Sequence, residues 1–381
     1  MYMNGMKRTM SLKLNLSSGQ AEQLDALQTT FTVACNQAVP LAMSTKTTNR
    51  IKLHHLAYYA IREATPALGA QMACNAVHQV AKAYKTLLAN RPKLRAQDWP
   101  IVRFNSKSSV HFDKRTYSLR ENTLSLFTLD GRIKTTFQTG KHQRRYLDIG
   151  IPKEAELIRK RKGWFFNLVL DLPEPGFVPH VKTLGVDMGE NNLAATSEGT
   201  LHGGGKLRHE RDCYLNLRRR LQSNGSKSAK QLLRKVSGRE ARHVTHVNHE
   251  VSKAIVAEAL EYGYTEITLE SLTHIRERIK AGKRMRSRLH RWAWAQLQEF
   301  IAYKAQAAGI CVTYVNPAYT SQTCSVCRSL GKRRKHRFSC PVCGRLAHAD
   351  RNAAQNIASL GTVVMVPTGE VNRPYVAALT G

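Results

Sequence analysis

The feature that most constrains how this chain can fold is a pair of Cys-x-x-Cys motifs near its C-terminal end. Cys324 and Cys327 form the first motif, Cys340 and Cys343 form the second, and twelve residues separate the two. Each motif places two thiolates on one face of a tight turn, and two such turns complete a tetrahedron around a zinc ion. Because four thiolates leave no open coordination position, we predict one structural zinc site in a finger over residues 321–346.

The residues around these motifs indicate nucleic-acid chemistry. The insert between the motifs is basic and includes Lys332, Arg333 and Arg334, which we predict to contact nucleic acid. Asp350 lies seven residues after Cys343, at the start of a predicted helix. A basic zinc finger followed by a helix-opening carboxylate suggests a nucleic-acid enzyme, so the next question is which other acids accompany Asp350.

The charge balance of the chain favours the same class of partner. Lys and Arg total 59 and Asp and Glu total 27 in 381 residues, which gives a formal net charge of +32. An excess of this size implies a polyanionic partner and argues against an ordinary solvated surface. Nucleic acid is favoured over a membrane, because no apolar run approaches the roughly 20 residues that a spanning helix needs.

Cysteine usage and the first residues predict a cytoplasmic protein. Residues 1–11 lack the apolar segment of a signal peptide. The cysteines outside the finger occur singly, which predicts buried free thiols in a reducing compartment; they are Cys35, Cys74, Cys213 and Cys311.

The front half of the chain predicts a small β-barrel interrupted by helices. Residues 7–17 alternate between apolar and polar side chains and predict a strand. Helical spacing predicts helices over about 21–39, with Pro40 ending or kinking the first, and over 52–64 and 69–90. Period-two patterns then predict further strands at 101–104, 110–113, 124–129, 133–137, 146–149 and 164–172. We assign residues 1–17 and 96–180 to the barrel and 18–95 to a helical domain, with Trp164, Phe165 and Phe166 in the barrel core or rim.

The back half predicts an α/β domain over residues 181–320 and 347–381, with the finger inserted between them. Apolar strands are predicted at 182–187, 193–196, 265–270 and 310–315, and helices at 208–221, 229–261 and 292–308. A basic loop is predicted at 276–291. The long helices carry mostly positive charge, which favours phosphate contact; the predicted contact residues are Arg218, Arg219, Arg220, Arg234, Lys235 and Arg239.

Three acids stand out by their positions in these elements. Asp187 ends one apolar strand, Glu270 ends another, and Asp350 opens the helix after the finger. A single strand-end Asp is most often a turn former. Carboxylates from separate elements can nevertheless converge at one sheet edge, and two Mg²⁺ ions that stabilise the attacking and leaving oxygens of a phosphodiester need such a cluster. The three together predict an RNase H fold with a two-metal site.

The segments that carry these acids resemble the RuvC motifs and zinc finger of the TnpB family. The similar segments are 185–189 (GVDMG), 267–272 (ITLESL), 319–324 (YTSQTC) and 348–354 (HADRNAA). TnpB proteins are transposon-encoded RNA-guided nucleases related to compact type V CRISPR effectors. The resemblance covers most of residues 183–360 and extends more loosely to the front half.

The resemblance implies a division of labour. The front half would be a wedge barrel and a helical recognition domain that hold a guide RNA and its heteroduplex with DNA, and that read a short motif beside the target. The RuvC-like domain would cut double- and single-stranded target DNA with Asp187, Glu270 and Asp350. Two Mg²⁺ ions, with Mn²⁺ as a substitute, and one Zn²⁺ are the expected cofactors. A monomer in the prokaryotic cytoplasm, associated with the nucleoid through DNA, is favoured.

Three alternatives remain open at the level of sequence. One is an RNA-guided DNA-binding repressor with vestigial cutting, and another is an RNase H-fold transposase. The third is a zinc-ribbon RNA-binding protein without catalysis, which would leave the strand-end acids unexplained. Arg351 either contacts phosphate or forms a local cap or pair.

Overall fold

The computed structural model describes residues 6–96, 98–173, 175, 182–272 and 293–361. The chain forms two compact units, one over Asn4–Pro173 and one over Glu174–Gly381 together with Met1–Met3. The predicted basic loop at 276–291 and the tail beyond residue 361 lie outside the described residues. None of the helices in the described ranges is long and apolar enough to cross a membrane.

The first unit is built on a seven-stranded antiparallel sheet with the order β2-β6-β7-β1-β5-β4-β3. Its strands are β1 (Met6–Asn15), β2 (Val110–Phe112), β3 (Tyr117–Arg120), β4 (Thr123–Thr128), β5 (Gly131–Gln138), β6 (Ile151–Lys160) and β7 (Gly163–Leu172). Trp164, Phe166 and Leu168 are buried at alternate positions of β7, as the period-two pattern predicts. Phe165 is half-buried and lies under the Lys160 ammonium group.

The sheet curls until it is nearly closed. Its two edge strands, β2 and β3, are joined by only the short turn 113–116. The Tyr117 hydroxyl on β3 donates a hydrogen bond to the carbonyl of Lys153 on β6. Phe112 and Tyr117 both contact the ring of Phe166 inside the barrel. The two edge strands, which are neighbours in sequence, therefore face each other where the barrel closes, so little of either strand edge is exposed.

Three helices are inserted after β1: α1 (Ser18–Ser44), α2 (Arg50–Ala64) and α3 (Ala70–Asn90). A capping box joins Ser17 and Gln20 at the start of α1. Of the two predicted effects of Pro40, an end of α1 is wrong, because the helix continues to Ser44. Val39 and Ala42 on either side are buried, so core packing outweighs the one backbone hydrogen bond that proline removes.

Two predicted strands of this unit are also wrong. Residues 101–104 form no strand, because side chains of the helices satisfy their backbone groups: Asn36 bonds both the N–H and the C=O of Phe104, and the Tyr84 hydroxyl accepts from Val102 N–H. Residues 146–149 end a helix, α4 (Lys141–Ile149). The apolar pair 146 and 149 fits a helical spacing of three as well as a strand edge, so the short pattern is ambiguous.

The second unit contains a mixed five-stranded sheet with the order β10-β9-β8-β11-β12. Its strands are β8 (Thr183–Asp187), β9 (Asn192–Thr196), β10 (Leu201–Gly203), β11 (Glu266–Glu270) and β12 (Cys311–Val315). The first three form an antiparallel meander, and β11 pairs in parallel with both β8 and β12. The apolar residues Leu184, Val186 and Ile267 are fully buried, as parallel strands covered on both faces require.

Four helices accompany this sheet: α5 (Gly205–Asn224), α6 (Lys227–Glu261), α7 (Trp294–Ala307) and α8 (Ala349–Leu360). Helix α8 crosses β8 at very short range. A Cβ atom at Gly185 would lie 2.0 Å from the carbonyl oxygen of Ala354, which no real Cβ contact allows. The glycine in β8 therefore sets how closely the helix that carries Asp350 can approach the strand that ends at Asp187.

The finger is a three-stranded antiparallel sheet between β12 and α8. Its strands are β13 (Lys332–Arg334), β14 (Arg337–Ser339) and β15 (Leu346–His348). Phe338 on β14 is buried together with Cys324, Cys340 and Ala349. This core is small, so the finger depends on a further source of stability.

Candidate active site and metal centre

The four finger cysteines converge on one point. Their Sγ atoms all lie within 4.8 Å of one another. The Sγ atoms of Cys324 and Cys343 are 3.7 Å apart, and those of Cys327 and Cys340 are 3.4 Å apart. Sulfurs bound to tetrahedral zinc at about 2.3 Å lie about 3.8 Å apart, whereas a disulfide needs about 2.05 Å. The cluster therefore fits the predicted structural zinc ion and does not fit disulfides.

The two motifs use the same turn. A residue with positive φ directly follows the second cysteine of each, Arg328 at 63° and Gly344 at 70°. Hydrogen bonds from the backbone N–H and the side chain of Ser329 are the largest causes that lower the pKa of Cys327 to about 6. At Cys343 a hydrogen bond from the backbone of Arg345 acts to lower the pKa, but the other three sulfurs outweigh it, so the pKa of Cys343 is instead raised. A thiolate at neutral pH is the form that binds zinc. The shared turn also places the two sulfurs of each motif side by side, as the motif spacing predicted.

Two buried asparagines of α8 attach the finger to the sheet unit. Asn352 donates to the carbonyl of Thr323 at 2.7 Å and accepts from the N–H of Ser325 at 3.0 Å. Asn356 donates to the carbonyls of Thr320 and Thr323 at 2.8 and 2.7 Å. Both side chains are essentially buried, at 0% and 2% exposure. Sequence reasoning missed them, although two asparagines four residues apart in an alanine-rich helix were a visible signal.

The acids occupy the positions that the pattern predicted. Asp187 is the last residue of β8 and Glu270 is the last residue of β11. Val186 and Leu269 are paired in the register of these parallel strands, and each acid is the next residue of its strand. Because neighbouring strands lie about 4.8 Å apart, the two acids end adjacent strands at the same level. Asp350 lies in the first turn of α8, which packs against both strands. The sheet edge and the helix start thus bring the three carboxylates toward one region.

The three acids share one electrostatic environment. Burial, and then the negative charges of Glu270 and Asp350, raise the pKa of Asp187 to about 8. Burial also raises the pKa of Glu270, although a hydrogen bond from Thr320 and the charge of Arg333 oppose the shift. Glu270 and Asp350 are 9% and 8% exposed. A buried group of negative charges without enough counter-charge is the arrangement that attracts a cation.

Neighbouring polar groups orient two of the three carboxylates, those of Glu270 and Asp350. The Thr320 hydroxyl donates to Glu270 Oε1 at 2.5 Å. Asn192 Nδ2 donates to Asp350 Oδ2 at 2.8 Å, and Arg333 Nη2 donates to Asp350 Oδ1 at 2.7 Å. Sequence reasoning did not identify Thr320 or Asn192, because their partners are distant in the chain.

The carboxylates do not form a single compact ligand set. In the described part of the chain, the oxygens of Asp187, Glu270 and Asp350 do not all lie within 4.8 Å of one another, unlike the sulfurs of the finger. Two ions about 4 Å apart need a wider spread of ligands than one ion does. The three acids supply only oxygen donors, which suit hard cations such as Mg²⁺.

The predicted nucleic-acid contacts fall into two groups. Two arginines form ion pairs with acids of the same chain: Arg333 with Asp350, and Arg218 with the buried Glu240 at 3.0 Å. The other predicted side chains are exposed: Arg219, Arg220, Arg234, Lys235, Arg239, Lys332 and Arg334. Arg351 is exposed and lies beside Gly199, so its local contact is with the turn after β9.

Comparison with known families matches both halves of this unit. Residues 294–357 match the family model described as "Cas12f1-like, TNB domain", and residues 171–276 match the one described as "Probable transposase". Together these matches include Asp187, Glu270, Asp350 and all four finger cysteines.

Curated relatives carry the same similarity. A TnpB-like protein of Methanocaldococcus jannaschii is 38% identical over 157 residues, which is 40% of this chain and 56% of that protein. A CRISPR-associated endodeoxyribonuclease Cas12f1 of Sulfoacidibacillus thermotolerans is 32% identical over 222 residues, which is 52% of this chain and 50% of that protein. The chain thus spans about half the length of these relatives.

A solved structure extends the similarity to the whole fold. The Cas12f1 chain in a cryo-EM structure of the Cas12f1-sgRNA-target DNA complex matches with a TM-score of 0.66 and 16% identity, over 90% of this chain and 83% of that chain. The predicted fold class is confirmed: a mixed α/β chain with a near-closed barrel, a RuvC-like domain and a four-cysteine finger.

Proposed function

This chain belongs to the TnpB transposase family, which is related to Cas12f, and we propose that it is an RNA-guided DNA endonuclease. The observation that carries the proposal is the shared environment of the strand-end acids Asp187 and Glu270 with Asp350. A zinc-ribbon RNA-binding protein without catalysis has no use for such a group of buried carboxylates.

We assign the reaction to a two-metal hydrolysis of DNA phosphodiesters. When bound, two Mg²⁺ ions, or Mn²⁺ in their place, would supply a nucleophilic water and charge stabilisation for the leaving 3′ oxygen. The charges of both other acids act on Asp187, so it would take part in holding the ions. Glu270, oriented by Thr320, and Asp350, oriented by Asn192, would complete the ligand set.

The protein's own side chains also prepare the site for the ions. The raised pKa of Asp187 means that cation binding must displace a proton from this carboxyl near neutral pH. Arg333 holds Asp350 through one oxygen only, so the second oxygen stays with Asn192. Arg333, about one-third exposed, would also face a phosphate bound beside Asp350.

Guide RNA and target DNA are the proposed partners. The related endodeoxyribonucleases are CRISPR-associated, and the solved Cas12f1 complex contains sgRNA and target DNA. The exposed arginines and lysines of α5, α6 and β13 would contact phosphates in a sequence-independent way. We further propose that the barrel and helices of the first unit read a short motif beside the target, while base pairing reads the rest.

The test is plasmid cleavage by the full chain purified with its copurifying RNA. We expect magnesium-dependent cutting of a plasmid that carries the matching target, and loss of cutting in Asp187→Ala while guided binding to the target survives. Glu261→Gln, an exposed acid at the end of α6, is the matched control and should cut normally. A folded Asp187→Ala protein that cuts as fast as the wild type would contradict the assignment of Asp187 to the nuclease site.

A second candidate, a strand-transferring transposase, is favoured by the match of residues 171–276 to a model described as "Probable transposase". That activity predicts joining of a DNA end to a target without RNA. Ribonuclease treatment of the purified protein separates the two, because guided cleavage is lost and RNA-independent joining is kept.

A further inference from the structure

A second cluster of metal-ligating side chains lies in the first unit, outside the proposed nuclease site. It consists of His78 on α3, His111 on β2 and Glu154 on β6. One ligand atom from each lies within 4.8 Å of the others. His78 Nδ1 and His111 Nε2 are 3.1 Å apart, and His111 Nε2 and Glu154 Oε2 are 3.7 Å apart.

These distances fit ligands around one ion. Nitrogens bound to tetrahedral zinc at about 2.05 Å lie about 3.3 Å apart. The two imidazole planes meet at 86° with centroids 4.6 Å apart, and their facing nitrogens are close enough to share one ion. The distance from His111 to Glu154 exceeds a hydrogen bond but is close to a separation between two ligands.

The burial of His111 supplies a second observation. His111 is 1% exposed, and its Nδ1 atom has no hydrogen-bond partner among the described residues. The polar contacts of this buried ring are thus all on the side of His78 and Glu154.

Both acidic and basic side chains surround the cluster, so a cation bound there would not face positive charge alone. Glu154 contributes a carboxylate that is 43% exposed, so ions in solution can reach the cluster. Lys82 is the nearby cation on α3, and it is paired with Glu156 at 2.8 Å. Asp113 adds negative charge near His78, while Arg50 opposes it.

We propose that His78, His111 and Glu154 bind a zinc ion, separate from the ion of the four-cysteine finger. Two imidazoles and one carboxylate leave a fourth position that water from the exposed side can fill. Such an ion would join helix α3 of the inserted helices to strands β2 and β6 of the barrel. It would therefore stabilise the first unit, because an ion that binds only the folded state raises its stability.

Zinc content of the full-length protein tests this proposal. Protein equilibrated with micromolar zinc and freed of excess metal by gel filtration is analysed by elemental mass spectrometry. We expect the wild type to hold one zinc equivalent more per chain than Glu154→Gln or His78→Asn. His55→Gln and Glu63→Gln, both exposed on α2, are matched controls and should keep the wild-type content.

Cobalt gives an independent readout that does not depend on stoichiometry alone. Co²⁺ added to protein whose finger is already filled with zinc should produce weak visible bands without thiolate charge transfer, and Glu154→Gln should weaken this binding about 10-fold or more. Equal zinc content in the wild type and both variants, with no cobalt bands in the wild type, would show that the two histidines form only a hydrogen-bonded pair.

Discussion

Arg333 on the finger hairpin donates a hydrogen bond of 2.7 Å to Asp350 on the first turn of α8. A side chain predicted to bind phosphate thus lies on an acid predicted to bind metal. The pair is about one-third exposed on the arginine side and nearly buried on the carboxylate side, which leaves the arginine room to move. Without a cation, Arg333 supplies part of the positive charge that the three acids need.

The first prediction follows from this competition. Arg333→Ala should lower the Mg²⁺ concentration for half-maximal cleavage, because the competing cation is gone. It should also reduce the maximal cleavage rate about 10-fold or more, because the same cation would face the phosphate. Magnesium titrations of cleavage measure both effects. Arg337→Ala, exposed on the facing strand β14, is the control, and a variant curve that overlays that of the wild type would contradict the prediction.

The raised pKa of Asp187 predicts a dependence of stability on pH. The folded protein holds the Asp187 proton up to about pH 8, whereas the unfolded chain releases it near 3.8. The folded state therefore binds more protons between these values, and its stability falls as pH rises through this window. In magnesium-free buffer, melting temperatures from pH 5 to pH 8.5 should fall less steeply for Asp187→Asn than for the wild type.

Magnesium should reverse this trend in the wild type only. A cation at the acids favours the ionised form, so added Mg²⁺ should raise the melting temperature most at high pH. Parallel pH curves for Asp187→Asn and the wild type, with and without magnesium, would mean that Asp187 is not enclosed as the structure has it.

Most of the proposed nuclease site could be predicted because its signals are local. Asp187 and Glu270 each end a short apolar strand, and the cysteines have a spacing that few other structures need. The supporting residues depend on partners far away in the chain. The sequence does not show that Thr320 contacts Glu270, because 50 residues separate them. It does not show the contact of Asn192 with Asp350 either, because 158 residues separate that pair.

The errors in the fold have the same origin. Residues 101–104 alternate like a strand, yet Asn36 and Tyr84 satisfy their backbone groups. Proline normally ends a helix, yet buried neighbours carry α1 past Pro40. In each case a tertiary contact overrides a local preference, and a single sequence does not reveal such contacts.

The close approach of α8 to β8 predicts that alanine substitutions at two glycines differ sharply in their effect on stability. Gly185→Ala would place a methyl group against the backbone of Ala354, so the helix must shift. We expect a loss of about 3 kcal/mol or more in the free energy of unfolding, or no folded protein, measured by urea denaturation. Gly19→Ala is the control: nothing lies within 4 Å of its Cβ position at the start of α1, so stability should hold or rise slightly. Equal effects would contradict the packing.

The basic helices predict two different responses to neutralisation. Arg219→Gln and Arg234→Gln remove exposed charges, so each should weaken RNA binding and reduce the slope of log affinity against log salt by about 0.7–0.9. Arg218→Gln instead removes a partner of the buried Glu240 and should cost about 1–3 kcal/mol of stability. Binding measured over a salt series, beside urea denaturation, separates the two classes. A stable Arg218→Gln protein with the same change in salt slope would contradict the division.

Thr320 contacts two separate elements of the proposed site. Its hydroxyl holds Glu270, and its carbonyl receives Asn356 from the helix that carries Asp350. Thr320 precedes the first cysteine of the finger, so these two contacts do not depend on the hairpin, which reaches the acids separately through the bond from Arg333 to Asp350. Changes in the hairpin that keep Arg333 and the four cysteines should therefore leave the positions of Glu270 and Asp350 unchanged.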